Sequence, residues 1–115
     1  MKTGIDIIET ERFKDLEKSK LEKIFTKNEI EYCNNFSNSY IHFAGHFCAK
    51  EALVKALKIG FREGLSPLDI EVLHDDNGSP YINKSKELIE LIGNKEIDVN
   101  ISHTKNNAIA ICILY

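Results

Sequence analysis

The chain has no charge excess that would hold a nucleic acid: 15 basic against 18 acidic side chains leave a formal charge of −3. An acidic partner meeting a local basic face stays compatible with that balance. No apolar run approaches the roughly 18 residues of a membrane span, and Met1-Lys2-Thr3 leads directly into a strand pattern rather than a signal peptide. The expected location is therefore the cytoplasm, with no membrane partner. Cys33, Cys48 and Cys112 are odd in number and lack metal-type spacing, which leaves them as reduced, buried thiols. Internal repeats, low-complexity tracts and linkers are also missing. With 43% hydrophobic residues, the 115 positions suit one domain spanning 1–115 with one core. At this size about two-thirds of the surface is buried on folding, so association into oligomers would add useful burial.

What is present is organised around 43–57, FAGHFCAKEALVKAL, which reads as one long helix with apolar residues on nearly every side. Such a helix is buried. Glu51 and Lys55 stand one turn apart on it, with Lys58 close to the same stripe. Charges on a buried helix need partners. Glu51 and Lys55 could serve each other, since this order of acid and base is the favoured one at that spacing.

Two other stretches carry chemistry at the edge of an apolar element. Gly4-Ile5-Asp6-Ile7-Ile8-Glu9 reads as a strand in which Asp6 sits among isoleucines, where the local pattern argues against a carboxylate. Asn100-Ile101-Ser102-His103-Thr104 ends an alternating strand in polar groups that include a histidine. Taken singly, Asp6 also suits a helix cap and His103 an ordinary hydrogen-bonded loop residue.

Between these stretches, 10–25 mixes charges of both signs and suggests a helix ending near Lys20, with a solvated face. Thr26-Lys27-Asn28-Glu29 is a capping box that opens a short helix to about Asn34. Asn38 or Ser39 can cap the long helix, and Gly60 suits its end. Gly64 with Ser66-Pro67 then predicts a loop. From Leu68 onward, alternation predicts a half-buried strand, and Asp75-Asp76-Asn77-Gly78 a hairpin returning at Tyr81. Asn83 can cap a short helix over 84–92, which Gly93 ends. A strand through Ile97, Val99 and Ile101 turns at Asn106-Asn107 into 108–114. That last strand has no polar face and needs cover on both sides, from this chain or another subunit. The expected class is α+β: a mostly antiparallel sheet packed with one long buried helix and shorter helices.

The ordered set GIDIIE at 4–9, FAG at 43–45, Phe47 leading into AKEA at 49–52, Lys55-Ala56, DIE at 69–71 and ISHT at 101–104 resembles the small trimeric phosphopantetheinyl transferases, the holo-acyl-carrier-protein synthases. The resemblance runs over essentially the whole chain. It implies transfer of the phosphopantetheine arm of coenzyme A to a serine of apo acyl carrier protein, in fatty acid biosynthesis. It places magnesium, with manganese as the alternative, on Asp6 and Glu51. Magnesium typically takes one or two carboxylates plus waters and phosphate oxygens. Lys55 is then placed to hold a phosphate oxygen, and His103 to order the metal-bound phosphates and waters. Glu51 is also a candidate to help remove the serine proton. By the same resemblance Arg12 grips the acidic helix of the carrier protein, and the assembly is a homotrimer with active sites between subunits.

Three departures from the family pattern touch coenzyme contacts. His46 stands where an arginine is usual, so a fixed charge becomes a titratable one. Lys58-Ile59-Gly60 replaces a Gly-x-Gly turn and makes Lys58 a candidate phosphate contact, while Ser79 replaces a lysine. His46 remains a candidate coenzyme contact. Two other readings use the same residues: a magnesium-dependent nucleotide pyrophosphohydrolase, and a transfer-inactive trimeric coenzyme-binding protein.

Overall fold

The computed structural model describes residues 1–61 and 65–115; of the expected loop at Gly64, Ser66 and Pro67, Gly64 lies outside the described residues. Three antiparallel strands form the main sheet in the order β1 (Lys2–Glu9), β5 (Asn107–Leu114), β4 (Ile97–His103). A second, two-stranded sheet pairs β2 (Ile70–His74) with β3 (Pro80–Lys84). The described residues also form four α-helices: α1 (Lys18–Ile24), α2 (Lys27–Asn34), α3 (Ser39–Leu57) and α4 (Lys86–Ile92). This is the expected α+β arrangement. No described helix is long and apolar enough to cross a membrane.

The predicted long helix is α3, extended by four residues at its start. It lies across the main sheet and buries Ala44, Cys48, Ala49, Ala52, Leu53 and Ala56. Small side chains let strand and helix backbones approach closely, and Gly4 is where they come nearest. A Cβ there would run into the Ala52 carbonyl oxygen and lie 2.7 Å from the Ala56 amide. Gly4→Ala should therefore cost about 3 kcal/mol, the upper range for overpacking, because backbone rather than a flexible side chain would have to yield. Urea unfolding of the variant beside the parent measures that loss.

The register places Asp6 opposite Ala110 and His103 opposite Ala108, on the face covered by α3. Ile5, Ile7, Ile109 and Ile111 point the other way and are 57, 65, 37 and 42% exposed. The last strand is thus covered by α3 on one side and open on the other within a single chain.

Four local readings differ from the sequence expectation. The segment after β1 is a 3₁₀ turn, Thr10–Phe13, not a helix to Lys20. Thr10 is pinned to the β4–β5 connection through Lys105 and Asn106 carbonyls, Phe13 is buried against Phe25 and Phe47, and Asp15 turns the chain with φ 60°. Tertiary anchoring overrides the weak helical periodicity there. Leu68 and Asp69 belong to a second 3₁₀ turn, Pro67–Asp69, closed by Ser66 and Asp69, so the strand starts at Ile70. Ser85 caps α4 in place of Asn83, whose amide instead donates to Glu71. Finally, α3 ends at Lys58, in the left-handed region with φ 64°, two residues before Gly60.

Candidate active site

Asp6 and the exposed half of α3 meet at one edge of the sheet–helix interface. Lys55 Nζ donates to Asp6 Oδ1 at 2.9 Å, the lysine half exposed and the aspartate mostly covered. Lys55 therefore pairs with the strand carboxylate, not with Glu51 as the helix spacing alone allowed. The hydrogen bond to Asp6, followed by that residue's charge, holds the Lys55 ammonium above its usual range. Glu51 is half-buried, and burial followed by the charge of Asp6 raises its carboxyl; Lys55 and Arg12 oppose that shift. Arg12, exposed on the first 3₁₀ turn, thus lies within the electrostatic reach of Glu51. Cys48, on the same helix, is buried and its thiol is pushed up to about 12, first by burial and then by Asp6, so it contributes no thiolate.

Asp6, Arg12, Glu51 and Lys55 are therefore brought together from three elements. Lys58 is exposed just past the end of α3. His103 is exposed at the end of β4 and meets the edge of the His42 ring at 5.8 Å between centroids. Among the described residues no side-chain hydrogen bond joins His103 to Asp6 or Glu51. A groove lined by Leu16, Leu21, Phe25, Ile30 and Leu68 among others contains none of these candidates.

Among the described residues, no three of His, Cys, Asp and Glu gather into a metal cage. Asp6 and Glu51 nevertheless form a donor set suited to magnesium. Burial and then repulsion from Asp6 raise Glu51, so the two carboxylates gain from a hard cation, and magnesium completes its shell with waters and phosphate oxygens.

His46 has a different setting from the expected coenzyme contact. It is 2% exposed, with Nδ1 2.9 Å from Glu29 Oε2 and Nε2 2.9 Å from His74 Nε2. Both ring nitrogens are engaged within the chain, which leaves none free for a ligand. The same buried cluster holds Lys50, wholly buried, whose ammonium donates to Glu29 Oε1, the Pro67 carbonyl and the Ile70 carbonyl. Sequence reasoning assigned Lys50 no role. A lysine among small apolar residues on a helix buried all round was the available signal, because such a charge requires acceptors from other elements.

The profile of the 4'-phosphopantetheinyl transferase superfamily matches residues 2–112. The chain belongs to that superfamily. A holo-[acyl-carrier-protein] synthase of Protochlamydia amoebophila is 44% identical over 114 residues, covering 96% of this chain and 93% of that protein. The crystal structure of the Bacillus anthracis holo-(acyl-carrier-protein) synthase in complex with CoA (3',5'-ADP) superposes with a TM-score of 0.83 at 36% identity, over 98% of this chain and 94% of the other. That of the Helicobacter pylori synthase in complex with coenzyme A gives 0.87 at 32% identity, over 98% and 99%. Within the superfamily the chain is an enzyme of the holo-acyl-carrier-protein synthase type.

Proposed function

We propose that this transferase moves the 4'-phosphopantetheine arm of coenzyme A onto a serine hydroxyl of apo acyl carrier protein, releasing adenosine 3',5'-bisphosphate, in a magnesium-dependent step that serves fatty acid biosynthesis. The observation that carries this reading is the junction of Asp6, Glu51 and Lys55, two carboxylates and an ammonium on one edge of a rigid strand–helix pair. The coenzyme bound to the B. anthracis and H. pylori relatives supports the donor.

In the reaction the serine oxygen bonds to the phosphorus of the arm, the pyrophosphate P–O bond breaks, and the electron pair leaves on the adenosine bisphosphate. Magnesium, or manganese, held by Asp6 and Glu51 would neutralise charge on the phosphates. Lys55 balances a phosphate oxygen as negative charge develops, with Lys58 and His103 as further phosphate contacts. Glu51 receives the serine proton directly or through water. Positioning and charge stabilisation dominate catalysis, as in phosphoryl transfer generally.

The open isoleucine face of β1 and β5 supports association with further copies, because an apolar patch of this kind marks an interaction surface; the resemblance to the small trimeric transferases is what makes that assembly a homotrimer in the cytoplasm, with active sites between subunits. Arg12 is exposed beside the site, a position from which it would grip the acidic helix of the carrier protein. Arg12→Ala is expected to raise KM for the carrier several-fold at low salt, and the difference from the parent should shrink as ionic strength rises.

Intact-mass analysis of apo acyl carrier protein incubated with the enzyme, coenzyme A and magnesium tests the reading. One added phosphopantetheine, abolished by chelation and restored by magnesium, is expected. Turnover of coenzyme A without carrier protein would favour the pyrophosphohydrolase. Coenzyme binding without transfer would favour the binding protein.

A further inference from the structure

The contact between His46 and His74 carries an inference independent of the transfer reaction. Their Nε2 atoms face each other at 2.9 Å. His74 Nδ1 lies 3.2 Å from the Gly78 carbonyl oxygen, which can only accept, so this nitrogen bears a proton. His46 Nδ1 lies 2.9 Å from Glu29 Oε2 in a carboxylate that also accepts from Lys50 and the Thr26 amide, so it too is a donor. With both Nδ1 atoms protonated, two neutral rings would point lone pairs at each other across a hydrogen-bond distance.

We propose that His46 and His74 share one additional proton between their Nε2 atoms, so that the pair carries a single positive charge at neutral pH and ties α3 to the β2–β3 hairpin. His46 is the carrier, because its other nitrogen faces the Glu29 carboxylate. His74 is the acceptor: burial and then the neighbouring His46 hold its imidazole below the usual range, against the Gly78 carbonyl, Asp75 and Glu29. Tyr32 of α2 stacks on both rings, with centroids 5.6 Å from His46 and 4.0 Å from His74. Among the described residues, His42 of α3 also feels the charge of both rings, and Lys50 of α3 shares the Glu29 carboxylate with His46.

The pair binds one proton in the fold and two, one or none in the unfolded chain as pH rises. Its contribution to stability is consequently largest near the imidazole range and falls on either side: on the acid side because the unfolded chain takes up a second proton, on the alkaline side because the fold must release its only one.

Nitrogen-15 NMR of histidine-labelled full-length protein, in the presence of chelator, tests the assignment. At pH 7, His46 should be protonated on both nitrogens, His74 on Nδ1 alone, with scalar coupling between the two Nε2 atoms. Raising the pH should change both rings in one shared transition. A neutral His46 at pH 7, a proton on His74 Nε2 with none on His46 Nε2, or two independent titrations would overturn the proposal. His74→Leu removes the acceptor, and the proton affinity of His46 should drop about tenfold, the loss of one hydrogen bond to a charged group. An unchanged His46 titration in that variant would count equally against it. Should the variant not fold, the parent spectrum decides alone.

Discussion

Lys50→Met is expected to lower the unfolding free energy by about 3–5 kcal/mol, the cost of removing one partner from a buried ion pair. Methionine keeps most of the lysine stem, so the loss is electrostatic rather than a cavity. Lys50 gives its donors to Glu29 Oε1 at 2.6 Å, Ile70 O at 2.6 Å and Pro67 O at 2.9 Å, joining α2, α3, the second 3₁₀ turn and the start of β2. Burial acts against the charge on Lys50, and Glu29 supports it. Without the ammonium, two carbonyls and one carboxylate oxygen lose a buried donor together. Against a typical total stability of about 5–15 kcal/mol for a domain, the variant should unfold at a markedly lower urea concentration. Glu29→Gln combined with Lys50→Met should cost less than the sum of the two single changes, because each single change strands the other's charge. Lys55→Met, which breaks a solvent-facing pair, should cost under about 1 kcal/mol. Equal losses at positions 50 and 55 would show that burial does not govern the difference.

The contrast between Lys50 and Lys55 also shows what the amino-acid pattern can reveal. Both lysines lie on one helix whose apolar character identifies it as buried, and α3 indeed runs through the centre of the fold. Helical spacing alone could pair Lys55 with Glu51. Only the register of β1 against β5, which turns Asp6 toward α3, makes Asp6 its partner. Asp6 was legible as an anomaly, a carboxylate among isoleucines. The Glu29–Lys50–His46 cluster was not, because its members come from three turns of two helices and its acceptors are backbone carbonyls with no side-chain signature. Glu29 did stand out as half of a capping box, which it forms with Thr26. Its second task, holding Lys50 and His46, depends on tertiary packing. The first 3₁₀ turn was misread for a related reason: Phe13 and Thr10 are fixed by distant aromatic and backbone groups, a constraint that local periodicity does not contain.

Glu51→Gln is expected to reduce kcat/KM for phosphopantetheine transfer by at least about 10²–10³, the scale of losing one group that acts on developing charge, without lowering stability. The two effects separate because Glu51 is held under electrostatic strain. Burial and then the charge of Asp6 raise its carboxyl, so its ionised form is less favourable in the fold than in the unfolded chain. Its contribution to stability is best at low pH, where it is neutral, and diminishes as pH rises through the unfolded and then the folded value. At neutral pH the glutamine variant should therefore be as stable as the parent or more so. The same shift predicts an acid limb in the parent's rate profile above the ordinary glutamate range, moving to lower pH as magnesium is increased because the cation favours the ionised carboxyl. Asp6→Asn should lose activity to a similar degree, yet it also frees Lys55, so the two changes together should cost far less than their product. Measuring rate against pH at two magnesium concentrations, with urea unfolding of each variant alongside, separates these expectations. A large loss of stability in Glu51→Gln would mean that this carboxylate supports the fold instead of working against it for the sake of the site.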